Sequence, residues 1–330
     1  MSLARQPRLL CLLCQSRAFG TSLRRLATQP APKSGRSRPT VVAENGGLLP
    51  NVARHPDLEN APRSYGKRKE EFTPTPLARP IGLPYPPEAG QNTGLDLRTV
   101  RQRRDDFVDY GQHLDRRQIL KEKVSRPYFR DWTNLQHHKG KTFIAPPRPF
   151  KGDLSLFFPN LYGQTLSKTD KAPRDTTPLL TGRVSVISIF SSQWAENQCR
   201  TFISREHNPA AEAVISESRG LAQHVRINIE EDALKAMVVR WFMGGLRRQV
   251  GEENWERYFL VRRGVSDEIR ECIGLLNSKV GYTYVVDREC RIRWAGSGPS
   301  EEHERDGLVK AVERLLNEKP EKVEATAEEA

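Results

Sequence analysis

The heptapeptide VSVISIF at residues 184–190 decides the fold. Its nearly continuous run of β-branched residues predicts a strand in a sheet that is covered on both faces. A helical segment follows the strand, because Ala195, Cys199, Phe202 and Ile203 recur there at helical spacing. The sequence therefore predicts a β–α unit at the start of the C-terminal half.

Further elements alternate with this unit toward the C-terminus. We expect a strand at His224–Ile229, a helix at about Asp232–Val250, a strand at Tyr258–Val261 and a short helix at about Ser266–Leu275. Strands that alternate with helices in this way are typical of α/β sheets in which neighbouring strands run parallel.

A β-hairpin is the clearest prediction: GYTYVVD at 281–287 and RIRWAGSG at 291–298 flank a tight turn at Arg288–Cys290. A last helix follows, with Ser300 as its expected N-cap. Its apolar stripe consists of Leu308, Val309, Val312, Leu315 and Leu316. This order of elements matches an α/β, thioredoxin-like sandwich with a central mixed sheet over residues 140–318. The core is expected to bury Val186, Ile187, Ile189, Val285, Ile292 and Leu316.

The net charge of +12 in this 330-residue chain is concentrated near the N-terminus. Residues 1–98 carry 15 basic and 7 acidic side chains, and the C-terminal half has no stripe of like charge. Residues 1–43 contain basic and leucine residues but no acid, a composition typical of a mitochondrial transit peptide. The charge therefore indicates targeting, with cleavage expected after Leu26, and does not indicate nucleic-acid binding.

Four further segments complete the expected organisation. A transit peptide at 1–26 precedes a Pro-rich disordered linker at 27–98, and a helical extension at 99–139 leads to the domain. Residues 319–330 read as an acidic flexible tail. No run approaches the roughly 18 apolar residues that a membrane-spanning helix needs.

The turn after the first buried strand lacks thioredoxin chemistry. A dithiol oxidoreductase needs a thiolate at the first turn of the following helix and a second cysteine three residues on. The chain has FSSQWAENQC at 190–199, without a CxxC motif. The histidines at 137 and 138 have no Cys, Asp or Glu nearby to complete a ligand set, and no cofactor is expected.

Cys199 permits a second hypothesis, a peroxiredoxin-like thiol-dependent enzyme. It follows Phe190 by nine residues, the spacing at which peroxiredoxins resemble this segment. Ser192 and Glu196, however, stand where their motif has Pro and Thr, and a neighbouring carboxylate opposes thiolate formation. A buried, inert Cys199 is the favoured interpretation, and the roles of Cys272 and Cys290 stay open.

A surface for a partner is predicted from two aromatic segments. The segment at 233–250 has more apolar residues than one helix face needs, with arginines beside them, although a core helix would also explain it. The loop at 157–162 is similarly aromatic, and a turn at Asn160 is expected to present Phe158 to a partner, although Phe158 and Trp241 could instead be core residues. The predicted partner-binding residues are Phe157, Phe158, Pro159, Asn160, Tyr162, Trp241, Phe242, Arg247 and Arg248.

Four strings carry a family resemblance: GKTFIAPPRPFKGDLSLFFPNLYG at 140–163, VSVISIFSS at 184–192, WFMGGLRRQVGEENWERYFLV at 241–261, and GYTYVVDRECRIRWAGSG at 281–298. With them, the chain resembles the fungal mitochondrial ATP synthase assembly factors that chaperone subunit a, the membrane proton-channel subunit. The resemblance covers about residues 126–300.

The resemblance implies a protein without cofactor or chemistry of its own. Such a protein would lie on the matrix side of the mitochondrial inner membrane, as a peripheral protein. It would bind newly made subunit a and promote its association with the subunit c ring. The alternative remains an enzyme that works through Cys199.

Overall fold

The computed structural model describes most of the C-terminal two thirds of the chain and parts of the segment before it. The described residues are 55–63, 72–96, 98–124, 130–136, 138–170, 172–230 and 243–318. The predicted transit peptide at 1–26 and the predicted tail at 319–330 lie outside them.

Within these residues the helices are α1 (Val100–Val108), α2 (Tyr110–Val124), α3 (Arg130–Asn134), α4 (Thr177–Leu180), α5 (Gln193–Phe202), α6 (Pro209–Glu217), α7 (Met243–Val250), α8 (Asp267–Cys272) and α9 (Glu302–Asn317). The strands are β1 (Tyr162–Thr165), β2 (Arg174–Asp175), β3 (Val184–Phe190), β4 (Ala222–Ile229), β5 (Tyr258–Val261), β6 (Tyr282–Val286) and β7 (Ile292–Ser297).

The described strands form one mixed sheet in the order β2-β1-β5-β4-β3-β6-β7. Strand β3 pairs in parallel with β4 and antiparallel with β6, so that Val186 has His224 on one side and Val285 on the other. Strands β6 and β7 form the predicted antiparallel hairpin. This arrangement confirms the thioredoxin-like sandwich with its central mixed sheet.

One face of the sheet is covered by the helices α5, α6 and α9. Phe202 of α5 and Leu308 of α9 are completely buried there against Val186 and Trp294 of the sheet. The rings of Phe202 and Trp294 meet edge to face, with their centroids 5.8 Å apart. We call this side the helical face.

The opposite face is covered by residues 55–63 and 72–83 together with the short helices α4 and α8. Leu58 and Ile81 are fully buried in its core. Arg63 donates a hydrogen bond of 2.6 Å to Glu271 just before the end of α8. We call this side the strap face.

The strap face corrects the predicted boundary of the linker at 27–98. Described stretches of this predicted linker are part of the fold, because Leu77 N–H donates to the carbonyl of Ile144 and Gly82 N–H donates to the carbonyl of Cys272. These isolated bonds follow neither a helical nor a strand period, which is why the sequence pattern did not reveal them.

Most of the predicted core residues are buried, and Leu316 is only partly buried. The predicted N-cap of the last helix was wrong by one residue. Glu301 caps α9 in a reciprocal pair with Glu304, whereas the hydroxyl of Ser300 donates to the carbonyl of Thr201 at 2.8 Å. The predicted helix at 232–250 is described from Met243 onward as α7.

The helical extension has two parts with different surroundings. Helices α1 and α2 have no buried side chain among those described, which agrees with the exposed helices expected at 99–124. Asn134 of α3 is buried instead and donates to the carbonyl of Arg63 at 3.3 Å. None of the helices in the described part of the chain is long and apolar enough to cross a bilayer.

Candidate functional site

The turn between β3 and α5 is where a thioredoxin-type enzyme would hold its dithiol. Here Ser192 is the N-cap of α5, and its hydroxyl accepts the backbone N–H of Ala195 at 3.2 Å. Trp194, in the first turn, is 41% exposed. The backbone donors that would stabilise a thiolate therefore meet a hydroxyl, and the first turn presents an indole to solvent.

Cys199 lies deeper on α5 and is enclosed by the sheet. Its sulfur lies 3.6 Å from the carbonyl oxygens of both Ile189 and Tyr282. A Cβ atom on Gly281 would approach this sulfur to 2.8 Å, so no space is left beside it. Burial raises the pKa of the Cys199 thiol to about 12, with a smaller contribution from Glu196 in the same direction.

This environment confirms that Cys199 is not a low-pKa thiolate, as the sequence predicted. A peroxidase needs an ionised and accessible sulfur, and Cys199 is neither. Burial also raises the pKa of Cys272 and of Cys290 to about 11. All the cysteines in the described part of the chain are free thiols.

The loop before β6 forms the other wall of this turn, and polar side chains hold it in place. The hydroxyl of Ser191 donates to the carbonyl of Ser278, and the hydroxyl of Ser278 donates to the carboxylate of Asp131 in α3. Gln198 of α5 accepts the backbone N–H of Gly281 at 2.9 Å. Through Asp131, the helical extension thus contacts the edge of the turn between β3 and α5. We call this turn the former dithiol position, because a thioredoxin-type enzyme would hold its dithiol there.

A cleft of about 190 Å³ lies at this edge of the turn, where the parallel strands β3 and β4 end. Ligands of α/β sheets bind at such carboxyl ends. Its floor is apolar, with Ile189 and Ile229, and its edge carries Glu230, Arg270 and Lys279. In the residues that the structure describes, no three His, Cys, Asp or Glu side chains are grouped to hold a metal ion.

The aromatic loop at 157–162 does not present Phe158 as predicted. Phe158 and Asn160 are 0% exposed, and Pro159 is buried as well. Phe158 meets Tyr284 edge to face at 5.9 Å, under the strap face. The expectation of an exposed Phe158 was wrong, because the loop pairs with the strap through Leu83 and buries its apolar side chains.

The other predicted partner-binding residues have different neighbours. Phe157 and Tyr162 are half-buried, and the Phe157 ring lies 5.9 Å below the guanidinium of Arg291 at the β6–β7 turn. Arg247 is also half-buried, whereas Arg248 is exposed. Trp241 and Phe242 lie outside the described residues.

Arg247 is held by the segment after β1. Its guanidinium donates to the carbonyl of Leu166 at 2.7 Å and lies 5.9 Å from the ring of Trp255. The two halves of the predicted surface thus contact different parts of the molecule: Phe157 contacts the hairpin turn, and Arg247 contacts the segment after β1.

Exposed apolar side chains include two groups that the sequence did not single out as sites. One is the pair α1 and α2, where Val100, Phe107, Val108, Tyr110 and Leu120 are exposed. The other is the former dithiol position, where Trp132 of α3 is 51% exposed and lies 5.8 Å from the ammonium of Lys279. Single tryptophans in a charged sequence give no periodic signal that would have marked them.

Comparison with known proteins gives consistent relatives. The family model described as ATP10 protein matches residues 62–315. The curated protein named mitochondrial ATPase complex subunit ATP10 from Eremothecium gossypii is 28% identical over 293 residues, which cover 86% of this chain and 96% of the relative. Its namesake from Saccharomyces cerevisiae is 27% identical over 259 residues, covering 74% of this chain and 88% of the relative.

Solved structures similar to this chain have thioredoxin-like folds. A secreted thiol-disulfide isomerase from Corynebacterium glutamicum matches with a TM-score of 0.35 and 14% identity, over 54% of this chain and 100% of that one. A thioredoxin family protein from Chlorobium tepidum matches with a TM-score of 0.30 and 17% identity, over 51% of this chain and 97% of that one.

Proposed function

Because this chain belongs to the ATP10 family, a family of mitochondrial ATP synthase assembly factors, we propose that it is a non-catalytic chaperone of the membrane sector. It binds newly made subunit a, the proton-channel subunit, and promotes its association with the subunit c ring. It acts on the matrix side of the inner membrane as a peripheral protein, without a cofactor and without nucleic acid.

The observation that carries this proposal is the first turn of α5. An oxidoreductase of this fold would hold its thiolate there, and this chain has the capping hydroxyl of Ser192 and the exposed indole of Trp194. Tryptophan is enriched among the residues that contribute most of the binding energy at protein interfaces. The first turn of α5 therefore serves, in this proposal, as a contact surface and not as a site of thiol chemistry.

We propose that subunit a contacts the accessible members of the predicted surface together with Trp194. Phe157 and Tyr162 offer part of their rings, and Arg247 and Arg248 offer charge that suits acidic loops of a client. The proposed contact surface also includes Trp241 and Phe242, which lie outside the described residues. The buried residues of the loop, Phe158, Pro159 and Asn160, support the surface from below instead of touching the client.

A photo-crosslinking experiment in mitochondria tests the proposal. A photoreactive amino acid is placed at position 194 or 248 of the full chain, and mitochondrial translation products are radiolabelled before irradiation. Position 221 is the matched control, because Leu221 is also exposed but lies just before β4. We expect crosslinks to subunit a from positions 194 and 248 and only background from position 221.

Two results would reject the proposal. Equal crosslinking to subunit a from all three positions would mean that the contact is not specific to this surface. Crosslinks from 194 and 248 to other products alone would reject subunit a as the client.

Replacement of Cys199 by Ser should leave ATP synthase assembly intact in cells. Loss of assembly by a stably folded Cys199→Ser chain would favour the enzyme hypothesis instead.

A further inference from the structure

A second cavity lies at the opposite end of the sheet from the former dithiol position. It has a volume of about 350 Å³ and lies between the β6–β7 turn, the C-terminal end of α9 and the loop at 151–153. Five basic residues line it: Lys151, Arg288, Arg291, Arg293 and Arg314. We call it the Arg293 pocket.

Arg293 forms the floor of this pocket and is 4% exposed. Its inner edge is fixed, because Nε donates to the carbonyl of Phe150 at 2.7 Å and one terminal nitrogen lies 3.2 Å from Asp287. Asp287 is itself immobilised in the turn, where its carboxylate accepts the backbone N–H groups of Glu289 and Arg291. Asp287 is therefore a permanent partner of the buried guanidinium.

The outer edge of Arg293 holds a carboxylate from the end of α9. Its two terminal nitrogens donate to the two oxygens of Glu318 at 2.8 and 3.0 Å, a bidentate geometry. Nε of Arg314 donates to the same carboxylate at 3.2 Å. The Arg293 pocket thus already binds a carboxylate, that of Glu318 in its own chain.

Glu318 differs from Asp287 in how firmly it is held. It is the C-cap residue of α9, where helices fray readily, and 36% of its side chain is exposed. Arg288 binds the last carbonyls of the helix and not this carboxylate, with 3.2 Å to the carbonyl of Glu318. A rotation of the Glu318 side chain would free the outer edge of Arg293, while Asp287 would still compensate the charge of the Arg293 guanidinium.

We propose that the Arg293 pocket binds an acidic side chain of a partner protein in the position that Glu318 now occupies. The pocket suits a single carboxylate better than a multiply charged anion, because Asp153, Asp287 and Glu289 also line it and offset much of the basic charge. Arg314, which is half exposed, and Lys151 lie on the rim where the rest of an acidic segment would pass. This inference stands independently of the client proposed above.

Fluorescence anisotropy with the full chain tests the inference. The probe is a fluorescein-labelled synthetic peptide of alternating Glu and Gly, titrated at low ionic strength. We expect Glu318→Ala and Glu318→Gln to bind the probe roughly fivefold more tightly than the unmodified chain, because an internal competitor is removed. Arg314→Gln should weaken binding by a similar factor. Arg205→Gln, at an exposed arginine after α5, should leave the affinity unchanged.

Glu318→Gln keeps the size of the side chain, so it separates loss of charge from loosening of α9; melting temperatures of all variants check that the fold is retained. The inference is wrong if folded Glu318 variants bind no more tightly, or if Arg205→Gln weakens binding as much as Arg314→Gln. It is also wrong if inorganic phosphate displaces the probe better than acetate at equal ionic strength. Binding of anionic vesicles with the same dependence on Arg314 would identify a lipid site instead and would also overturn it.

Discussion

The helical face and the strap face bury the same sheet with different kinds of structure. Strand β3 sends Val184 and Val186 into the core under α5, α6 and α9, and sends Ile187 and Ile189 into the core under the strap. Both cores contain side chains with no exposed area. A sheet therefore needs apolar cover on each face, but the cover need not be regular as long as its backbone groups find partners one by one.

The largest expected effects come from removing one ring from each face. Phe202→Ala on the helical face and Phe158→Ala on the strap face should each lower the free energy of unfolding by about 3–5 kcal/mol, because each leaves a cavity in a closed core. Urea unfolding of the purified variants measures the change. Phe157→Ala, at a half-buried neighbour, is the control and should cost clearly less.

Equal costs at Phe158 and Phe202 would mean that the two faces contribute alike to stability. A cost at Phe158 close to that of the Phe157 control would break the comparison. In that case the strap face would be a loosely attached cover, and the aromatic loop could still open toward a client.

A smaller effect tests the strap itself. Ile81→Ala should cost about 2–5 kcal/mol, because Ile81 is fully buried next to Phe143 and Leu58 around Gly274. Leu221→Ala, at an exposed leucine of similar size, should stay within about 0.5 kcal/mol of the unmodified chain. If the two substitutions cost the same in urea unfolding, residues 72–83 are not part of the cooperative fold.

The sequence revealed the helical face far better than the strap face for a physical reason. The stripe on α9 and the run VSVISIF repeat their apolar residues with the periods of a helix and of a buried strand, so Leu308 and Val186 were predicted correctly. Leu58 and Ile81 lie in Pro-rich segments without any period. Both pack near Gly274, which follows Ile81 by 193 positions and Leu58 by 216, and a local pattern does not contain such distant contacts.

The candidate site was predictable to a similar degree. The lack of a dithiol and the inert state of Cys199 followed from residue types at fixed spacing after β3, and the environment of the sulfur agrees. The orientation of Phe158 did not follow, since an aromatic loop has the same composition whether it is buried or exposed. Trp194 and the Arg293 pocket depend on tertiary neighbours and gave no signal in the sequence.

A pH-dependent effect belongs to the helical face. His224 of β4 lies in the sheet with its Nε2 atom 2.9 Å from the hydroxyl of Ser188. Burial, with the nearby charges of Arg226 and Arg257, lowers the pKa of His224 to about 3. The ordinary histidine pKa is 6.5, so between these values the unfolded chain takes up a proton that the folded chain does not.

Unfolding free energy should therefore fall as the pH decreases from 6.5 toward 3, by less than about 1.4 kcal/mol per pH unit because part of His224 reaches solvent. His224→Asn keeps a polar group near Ser188 and removes the titration. The difference in slope between the unmodified chain and His224→Asn, from urea unfolding at pH 7, 6 and 5, measures the contribution. Parallel slopes would show that His224 titrates alike in the folded and unfolded chains.

Cys199→Ala should lower the free energy of unfolding by only about 1 kcal/mol, but the reactivity of the Cys199 thiol should differ greatly from that of a free cysteine. With a pKa of about 12, the Cys199 thiol ionises to roughly one part in ten thousand at pH 8, whereas a free cysteine with a pKa of about 8.5 is ionised to roughly a quarter.

Cys272 is the internal control, because it is partly exposed and its pKa is about 11. Iodoacetamide labelling of the folded chain, followed by mass spectrometry, should therefore modify Cys272 first and Cys199 only when the chain unfolds. If Cys199 were alkylated faster than Cys272 in the folded chain, its sulfur would be both accessible and ionised, and the thiol-dependent enzyme would again compete with the binding protein.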